Sequence, residues 1–364
     1  MSYKKKFVAG VVLGFVLSVP ALAASDTPLN TSARAAILKT LAAKMSENYI
    51  EPAVAERVGR AIAKKHAEGG YASAASAQAF SAALAKDLRD LSRDLHFNAT
   101  FDERFGERNG AADSLRRTEA NDAGVQAVRS GYGIEKIERL PGNVGYIELR
   151  DFGPTKLVGP AYTSAISLLA GADALILDLR RNGGGRPASV AYLMSHFFPL
   201  GDRRHLNDMY DRPSNTTQES WTLASVGERY RKPVYVLTSA RTASAGEECA
   251  YDFQTQKRAT LVGETTAGAA NPVSPYDVGH GIAVRIPDGR SINPITKTSW
   301  EHVGVKPDLA VPAAQALQAA HAAILRNLVS AATDDKERTN LQRLLAMVEK
   351  GESEKPIYTL RGER

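Results

Sequence analysis

One short run in the chain concentrates what nucleophilic chemistry needs. In "VLTSARTASAGEECAYDF", residues 236–253, Ser244 stands where a β-branched pattern gives way to a helical one. Its neighbours Thr242, Ala243, Ala245 and Gly246 are all small. Ala245, Cys249 and Phe253 recur every four residues and mark the buried face of the helix. Two readings fit Ser244. With Glu247 three residues on, it completes a capping box, in which the serine only ties off its own helix. The other reading is chemical: small neighbours let a substrate backbone approach. A helix N-terminus also supplies the free N–H groups and positive dipole end that an acyl-transfer oxyanion needs.

A second run, "LDLRRNGGGRPAS" (177–189), places three consecutive glycines after an apolar strand pattern. It matches neither GxGxxG nor GxxxxGK[ST], so nucleotide binding has little support. A plain turn or an oxyanion donor at Gly184 remains. A general base is the third need, and histidine suits it, with a reference pKa of about 6.5. The chain holds 7 histidines. His66 and His321 lie on Ala-rich helical stretches, His196 and His205 flank a Phe-Phe-Pro segment, His280 sits between glycines, and His302 follows Glu301. His96 falls on the polar face of a strand pattern in which Leu95, Phe97, Ala99 and Phe101 alternate with polar residues, and it is the favoured base. Metal catalysis finds no HExxH or paired His/Cys string; Asp277 and His280 are an isolated pair. Cys249 is the only cysteine, which excludes an internal disulfide, a two-cysteine redox centre and a thiolate-rich metal site. On its apolar stripe it reads as inert core.

These groups need elements to position them. Residues 30–92 carry helical spacing: Ile37, Leu41, Met45 and Tyr49 recur every four residues, as do Phe80, Leu84 and Leu88. Pro52 and Gly69-Gly70 divide the stretch into three or so helices. Residues 103–131 are polar and read as a solvated loop with room for one helix. From Tyr132 strands and helices alternate. "NVGYIEL", "ALILDLR", "PVYVLTS", "TLVGE" and "IAVRIP" read as strands, with helices near 160–170, 187–198 and 244–257 between several of them. That order predicts an α/β fold with a largely parallel sheet. "PDGR" at 287–290 is a turn joining two strands, and 313–350 is helical again.

The first 23 residues stand apart. Lys4, Lys5 and Lys6 precede an apolar run from Phe7 to Val19, and Ala21-Leu22-Ala23 follows Pro20. This is the pattern of a signal peptide cleaved after Ala23, too short for a membrane span. Cleavage removes those three lysines and no acid, which takes the formal charge from +6 to +3. So mild a charge carries no nucleic-acid inference. A periplasmic or secreted protein is expected, without stable membrane insertion.

Five strings, "YGIEKIERLPGNVGYIELRDF" (132–152), "LDLRRNGGG" (177–185), "TSARTASAGEE" (238–248), "LVGETTAGAANP" (261–272) and "WEHVGVKPDLAV" (300–311), together resemble the tail-specific, or C-terminal processing, family of serine peptidases. The resemblance covers residues 30–315 and implies a ClpP/crotonase-like core of mixed, largely parallel sheet with flanking helices, preceded by a small helical domain. The expected organisation is a signal peptide over 1–23, a helical N-terminal domain over 24–101, a linker over 102–131, a peptidase α/β domain over 132–315 and a helical tail over 316–364. The processing branch uses a Ser–Lys dyad whose lysine follows a string equivalent to Gly263–Gly268. Here Ala269 stands in its place. The linker is also too short for the PDZ domain that branch inserts. The pattern is closer to the tricorn-like branch and to modules of interphotoreceptor retinoid-binding protein.

Carried over residue by residue, the tricorn-like resemblance implies Ser244 as nucleophile, His96 as base and Glu301 as the carboxylate behind it. Gly184 and Ala245 N–H groups would hold the oxyanion, and Leu95 replaces the family's second active-site serine. The expectation is a serine peptidase acting on peptides or proteins, with no cofactor and no metal, and with homo-oligomers allowed. The rival is a non-catalytic binder of hydrophobic, retinoid-like ligands on the same fold. A displaced lysine, Lys257 or Lys297, is the remaining option. Lys257 sits at the far end of a 13-residue helical stretch, nearly 20 Å from Ser244 at about 1.5 Å per residue.

Overall fold

The computed structural model describes residues 27–102 and 122–352. The expected signal peptide and most of the expected linker lie outside them; within the linker a helical run covers 122–129.

The first layer is three helices, α1 (Thr31–Asn48), α2 (Pro52–Ala67) and α3 (Ala77–Ser92). Each starts where the sequence supplies a start signal. Asn30 Oδ1 accepts Ala33 N–H (2.8 Å), Ser76 Oγ accepts Ala79 N–H (3.2 Å), and Pro52 opens α2. Their apolar stripes pack on a three-stranded antiparallel sheet. In it β10 (Ile282–Pro287) lies between β1 (Asn98–Phe101) and β9 (Val273–Asp277). Ile37, Leu41, Phe80, Phe97, Ile282 and Val284 all belong to this core. The sheet takes one strand from the N-terminal third and two from the C-terminal half.

The main sheet has six strands in the order β12-β8-β7-β4-β3-β2. They are β2 (Ile134–Leu140), β3 (Val144–Leu149), β4 (Ala174–Asp178), β7 (Val234–Thr238), β8 (Thr260–Gly263) and β12 (Leu309–Ala310). Every pairing is parallel except β2 with β3. Successive residues alternate between two cores. Leu175, Leu177, Val234 and Val236 face α4 (Thr155–Leu168), α5 (Pro187–Ser195) and α6 (Ala245–Thr255). Ile176, Tyr235 and Leu237 face α7 (Ala316–Ala331), and α8 (Asp335–Glu349) packs on α7. The C-terminal helices thus cover the second face of the sheet. Covering both faces is what lets the inner strands β3, β4, β7 and β8 be largely apolar, each buried Leu, Ile or Val contributing about 1.5–3 kcal/mol relative to exposure.

A third sheet, β11-β5-β6, comprises β5 (His205–Asp211), β6 (Thr216–Trp221) and β11 (Gly289–Ile292). The turn expected at 287–290 does join two strands, β10 and β11. They belong to different sheets, so the connection is a crossover and not a hairpin. Among the described residues no helix is long and apolar enough to cross a membrane.

Candidate active site

Ser244 sits at the corner between β7 and α6 with φ 54° and ψ −125°. A residue that merely caps a helix is extended. A positive φ on a non-glycine residue costs on the order of 1–3 kcal/mol. A strained strand-to-helix corner of this kind is what exposes a nucleophilic serine in α/β hydrolases. Ser244 lines a cavity of about 990 Å³. What holds the corner is Glu247, fully buried. Its Oε2 accepts Ser244 N–H and Ala269 N–H, both at 2.9 Å, and its Oε1 accepts Gly268 N–H (2.7 Å) and the Thr266 hydroxyl (2.5 Å). Burial raises its carboxyl above the usual range, and those hydrogen bonds pull it back. Glu247 therefore ties the loop 266–269 to the start of α6, beyond the capping role its spacing suggests.

The glycine run lies against this corner. A Cβ on Gly184, whose φ is 108°, would stand 2.7 Å from Ser244 Cβ. Its N–H donates to Asn182 Oδ1 (2.9 Å), so the donor expected at Gly184 is already engaged. Gly185 is differently placed. Phe152 N–H donates to Gly184 O and Arg186 N–H to Phe152 O, which leaves the Gly185 N–H on the opposite edge of this bridge. Gly185 lines the cavity, and among the described residues no acceptor meets its N–H. A Cβ there would lie 2.2 Å from Phe152 O, so only glycine fits. Ala245 also lines the cavity, and its N–H, the first of α6, likewise meets no acceptor among the described residues.

His96 reaches the same cavity from the N-terminal layer. It lies not on a strand, as the alternation from Leu95 predicts, but in a turn before β1. The reason is local. Arg93 ends α3 in the left-handed conformation (φ 63°), and Asp94 Oδ1 then accepts His96 N–H (3.0 Å), forming an Asx turn. Leu95, 54% exposed, also lines the cavity. His96 Nδ1 is buried without a hydrogen-bond partner and lies 3.6 Å from Asp94 Oδ1.

Glu301 completes the cluster. One ligand atom each from Asp94, His96 and Glu301 lies within 4.8 Å of the others. Glu301 Oε2 accepts Ala270 N–H (2.6 Å) and Asn271 N–H (2.9 Å), while its Oε1 is buried with no hydrogen-bond partner and lies 3.6 Å from His302 Nδ1. Burial, then the Asp94 charge, holds its carboxyl above the usual range against those two N–H groups and His96. Asp94 is itself fully buried, with Oδ2 accepting from Asn271 Nδ2 (3.3 Å) and Tyr49 OH (3.4 Å). One imidazole between two carboxylates is also a donor set for a divalent cation. A second such set, His205, Asp208 and Glu219, lies on β5 and β6 and does not line the cavity.

The structure thus brings Ser244, Ala245 and His96 to one cavity, a Glu301 oxygen to within 4.8 Å of an imidazole nitrogen and Gly184 to the back of Ser244. Asp94 and Gly185 have no counterpart in the sequence reading. Asp94 two residues before His96 is an Asx-turn spacing that could have revealed the first; Gly185 is indistinguishable from its neighbours until the Phe152 bridge is seen. Among the described residues no lysine lines the cavity. Lys257 lies beyond the far end of α6, and Lys297 is exposed on a loop. Cys249 is buried, and burial pushes its thiol well above the usual range, as inert core requires.

Compared with known proteins, residues 143–311 match Peptidase family S41. The chain is 29% identical over 219 residues to carboxyl-terminal-processing peptidase 2, chloroplastic, of Arabidopsis thaliana, covering 56% of this chain and 39% of that one. It is 35% identical over 146 residues to a carboxyl-terminal-processing protease of Synechocystis, covering 40% of this chain and 33% of that one. The chain thus spans well under half the length of these two relatives. A solved structure from Parabacteroides merdae shares the fold at a TM-score of 0.54 and 20% identity, over 76% of this chain and 89% of that one.

Proposed function

On the premise that the chain belongs to peptidase family S41 through residues 143–311, we propose that it is a serine peptidase working through Ser244, His96 and Glu301. The observation that carries this reading is the convergence of His96, from the N-terminal layer, and Ser244, at its strained corner, on one cavity. The Ser244 hydroxyl attacks the peptide carbonyl and passes its proton to His96. The imidazolium that forms is stabilised by Glu301, whose unpartnered oxygen is available to the unpartnered Nδ1. The tetrahedral oxyanion takes the free N–H groups of Gly185 and Ala245, each such donor being worth about 2.7–4 kcal/mol in comparable sites. His96 then returns the proton to the leaving amine, and water repeats the cycle on the acyl-enzyme.

The absence of any lysine from the cavity wall argues against a Ser–Lys dyad. A hydrophobic-ligand carrier is disfavoured by Arg89, Arg186 and Arg285, which line the same cavity. The N-terminal leader pattern supports export, with peptides or unfolded protein ends as substrates.

Ser244→Ala should abolish peptide hydrolysis without changing the melting curve. A fluorophosphonate should label the wild-type chain at Ser244, with labelling greatly slowed in His96→Ala. Full hydrolysis by Ser244→Ala, or labelling indifferent to His96, would remove the assignment.

A further inference from the structure

One turn along α6 from Ser244, on the same face, Glu248 lines the cavity although it is only 2% exposed. Four residues at 1.5 Å rise put it about 6 Å down the helix axis from the nucleophile. A further turn on, Asp252 is 1% exposed. Glu248 Oε1 and both carboxyl oxygens of Asp252 are buried with no hydrogen-bond partner, and the Asn207 amide on β5 lies near enough to Glu248 to favour its ionised form. No ion pair reaches either acid among the described residues. Buried carboxyl oxygens left unpartnered are costly, and a protein that only needed volume there would use an aliphatic side chain. The cavity that Glu248 lines also has apolar lining from Ala245, Met209, Ala270 and Trp300. Apolar walls suit a methylene stem, and a carboxyl at the end suits a cation on its tip.

We propose that Glu248, backed by Asp252, forms the base of a specificity pocket that receives a lysine or arginine side chain, on the substrate residue whose carbonyl Ser244 attacks. The proposal rests on the peptidase reading for its register relative to Ser244. An ammonium or guanidinium supplies the donor that Glu248 Oε1 lacks and pairs with its carboxylate out of water. A neutral stem of equal length leaves the same acids unsatisfied, and sites with buried polar groups reject such analogues strongly.

The pocket should also sense pH. Burial pushes the Glu248 carboxyl up to about 7, with the Asn207 amide working in the other direction. Burial, then the Glu248 charge, pushes Asp252 well above the usual range. The groups packed against Glu248 from its own helix are Asp252 and the Cys249 thiol. From β5 it is the Asn207 amide, to which the Ser291 hydroxyl of β11 is bonded (2.9 Å), and Arg89, Arg186 and Arg285 line the same cavity. A cationic substrate needs the ionised carboxyl, so its advantage grows as pH rises.

The test compares two otherwise identical peptide p-nitroanilides ending in lysine or in norleucine, which keeps the stem and removes the ammonium. The expected kcat/KM ratio at pH 8 favours lysine by at least about tenfold, falls toward pH 6, and drops by about tenfold or more in Glu248→Gln. Taking the ratio cancels the shared dependence on His96. The same pair of peptides, as amides, is titrated into the Ser244→Ala chain, which reads the pocket without turnover. Cleavage of both substrates with no lysine preference overturns the pocket and leaves the peptidase. Lysine-selective binding with no cleavage by the wild-type chain upholds the pocket and overturns the peptidase reading. No selectivity in either assay, or a ratio unmoved by Glu248→Gln, overturns the pocket.

Discussion

Two carboxylates attend one imidazole, and their surroundings assign them different work. Asp94 Oδ1 is already engaged by the His96 backbone N–H, and its Oδ2 by Tyr49 and Asn271. Glu301 has an unpartnered oxygen and two backbone N–H donors fixing the other. On the proposed mechanism Glu301 therefore accepts from the imidazole, and Asp94 is the positioning residue that shapes the turn. Glu301→Gln should lower kcat/KM by about 10²–10⁴-fold, as when the carboxylate of a serine triad becomes an amide. Asp94→Asn keeps an acceptor oxygen for the turn and should cost less than about tenfold at pH 8. It also removes the charge that, after burial, raises Glu301. Glu301 then gains its proton at lower pH, so the acid limb of the kcat/KM profile moves to lower pH. An Asp94→Asn loss equal to that of Glu301→Gln, with the limb unmoved, would make Asp94 the orienting carboxylate instead.

At the scale of elements, α6 follows directly on Ser244, the candidate nucleophile, and carries two acids it cannot satisfy by itself. The native chain keeps Glu248 and Asp252 protonated at pH values where the unfolded chain has lost those protons. Between the unfolded pKa and the raised native one, the folded state binds more protons, so stability falls as pH rises. Each such proton contributes a slope of about 1.4 kcal/mol per pH unit, and about 2–4 °C of Tm accompanies each kcal/mol. Asp252→Asn should therefore melt a few degrees above wild type at pH 8 and close to it at pH 5; parallel melting curves across that range would refute the account. Elements buried on both faces were the legible ones. β4 reads as an apolar run from Ala174 to Leu177 and β10 matches "IAVRIP" with Arg285 alone exposed, because burial restricts the residue type at the other positions. The hairpin β5–β6 was missed: "HLNDMYD" and "TTQESW" are polar, and it is held by pairing with β11 and by the stacking of His205 on Trp221 at 4.3 Å. At the site, Ser244 and Glu301 were readable from their strings. The His96 turn was not, because an alternating pattern cannot distinguish a strand from the Asx turn that begins one residue earlier.

At the scale of the molecule, the candidate base and the candidate nucleophile come from different layers, so their alignment depends on how firmly the layers are joined. The join is the small sheet, in which β1 from the N-terminal third pairs with β10 from the C-terminal half. Phe97, fully buried, follows His96 directly and packs in one core with Ile282 and Val284 of β10, its ring 4.9 Å from that of Tyr49. A shared core of this kind predicts that the two layers unfold together. The chain's 2 tryptophans, Trp221 and Trp300, both lie outside the N-terminal layer, so their fluorescence reports the other layers while hydrolysis reports the alignment. In urea the two signals should share one midpoint. Phe97→Ala should cost about 3–5 kcal/mol and move both midpoints down together. Loss of activity at lower urea than the fluorescence change, widened further by Phe97→Ala, would mean that the helical layer detaches first and that the site is assembled by docking instead of by a common core.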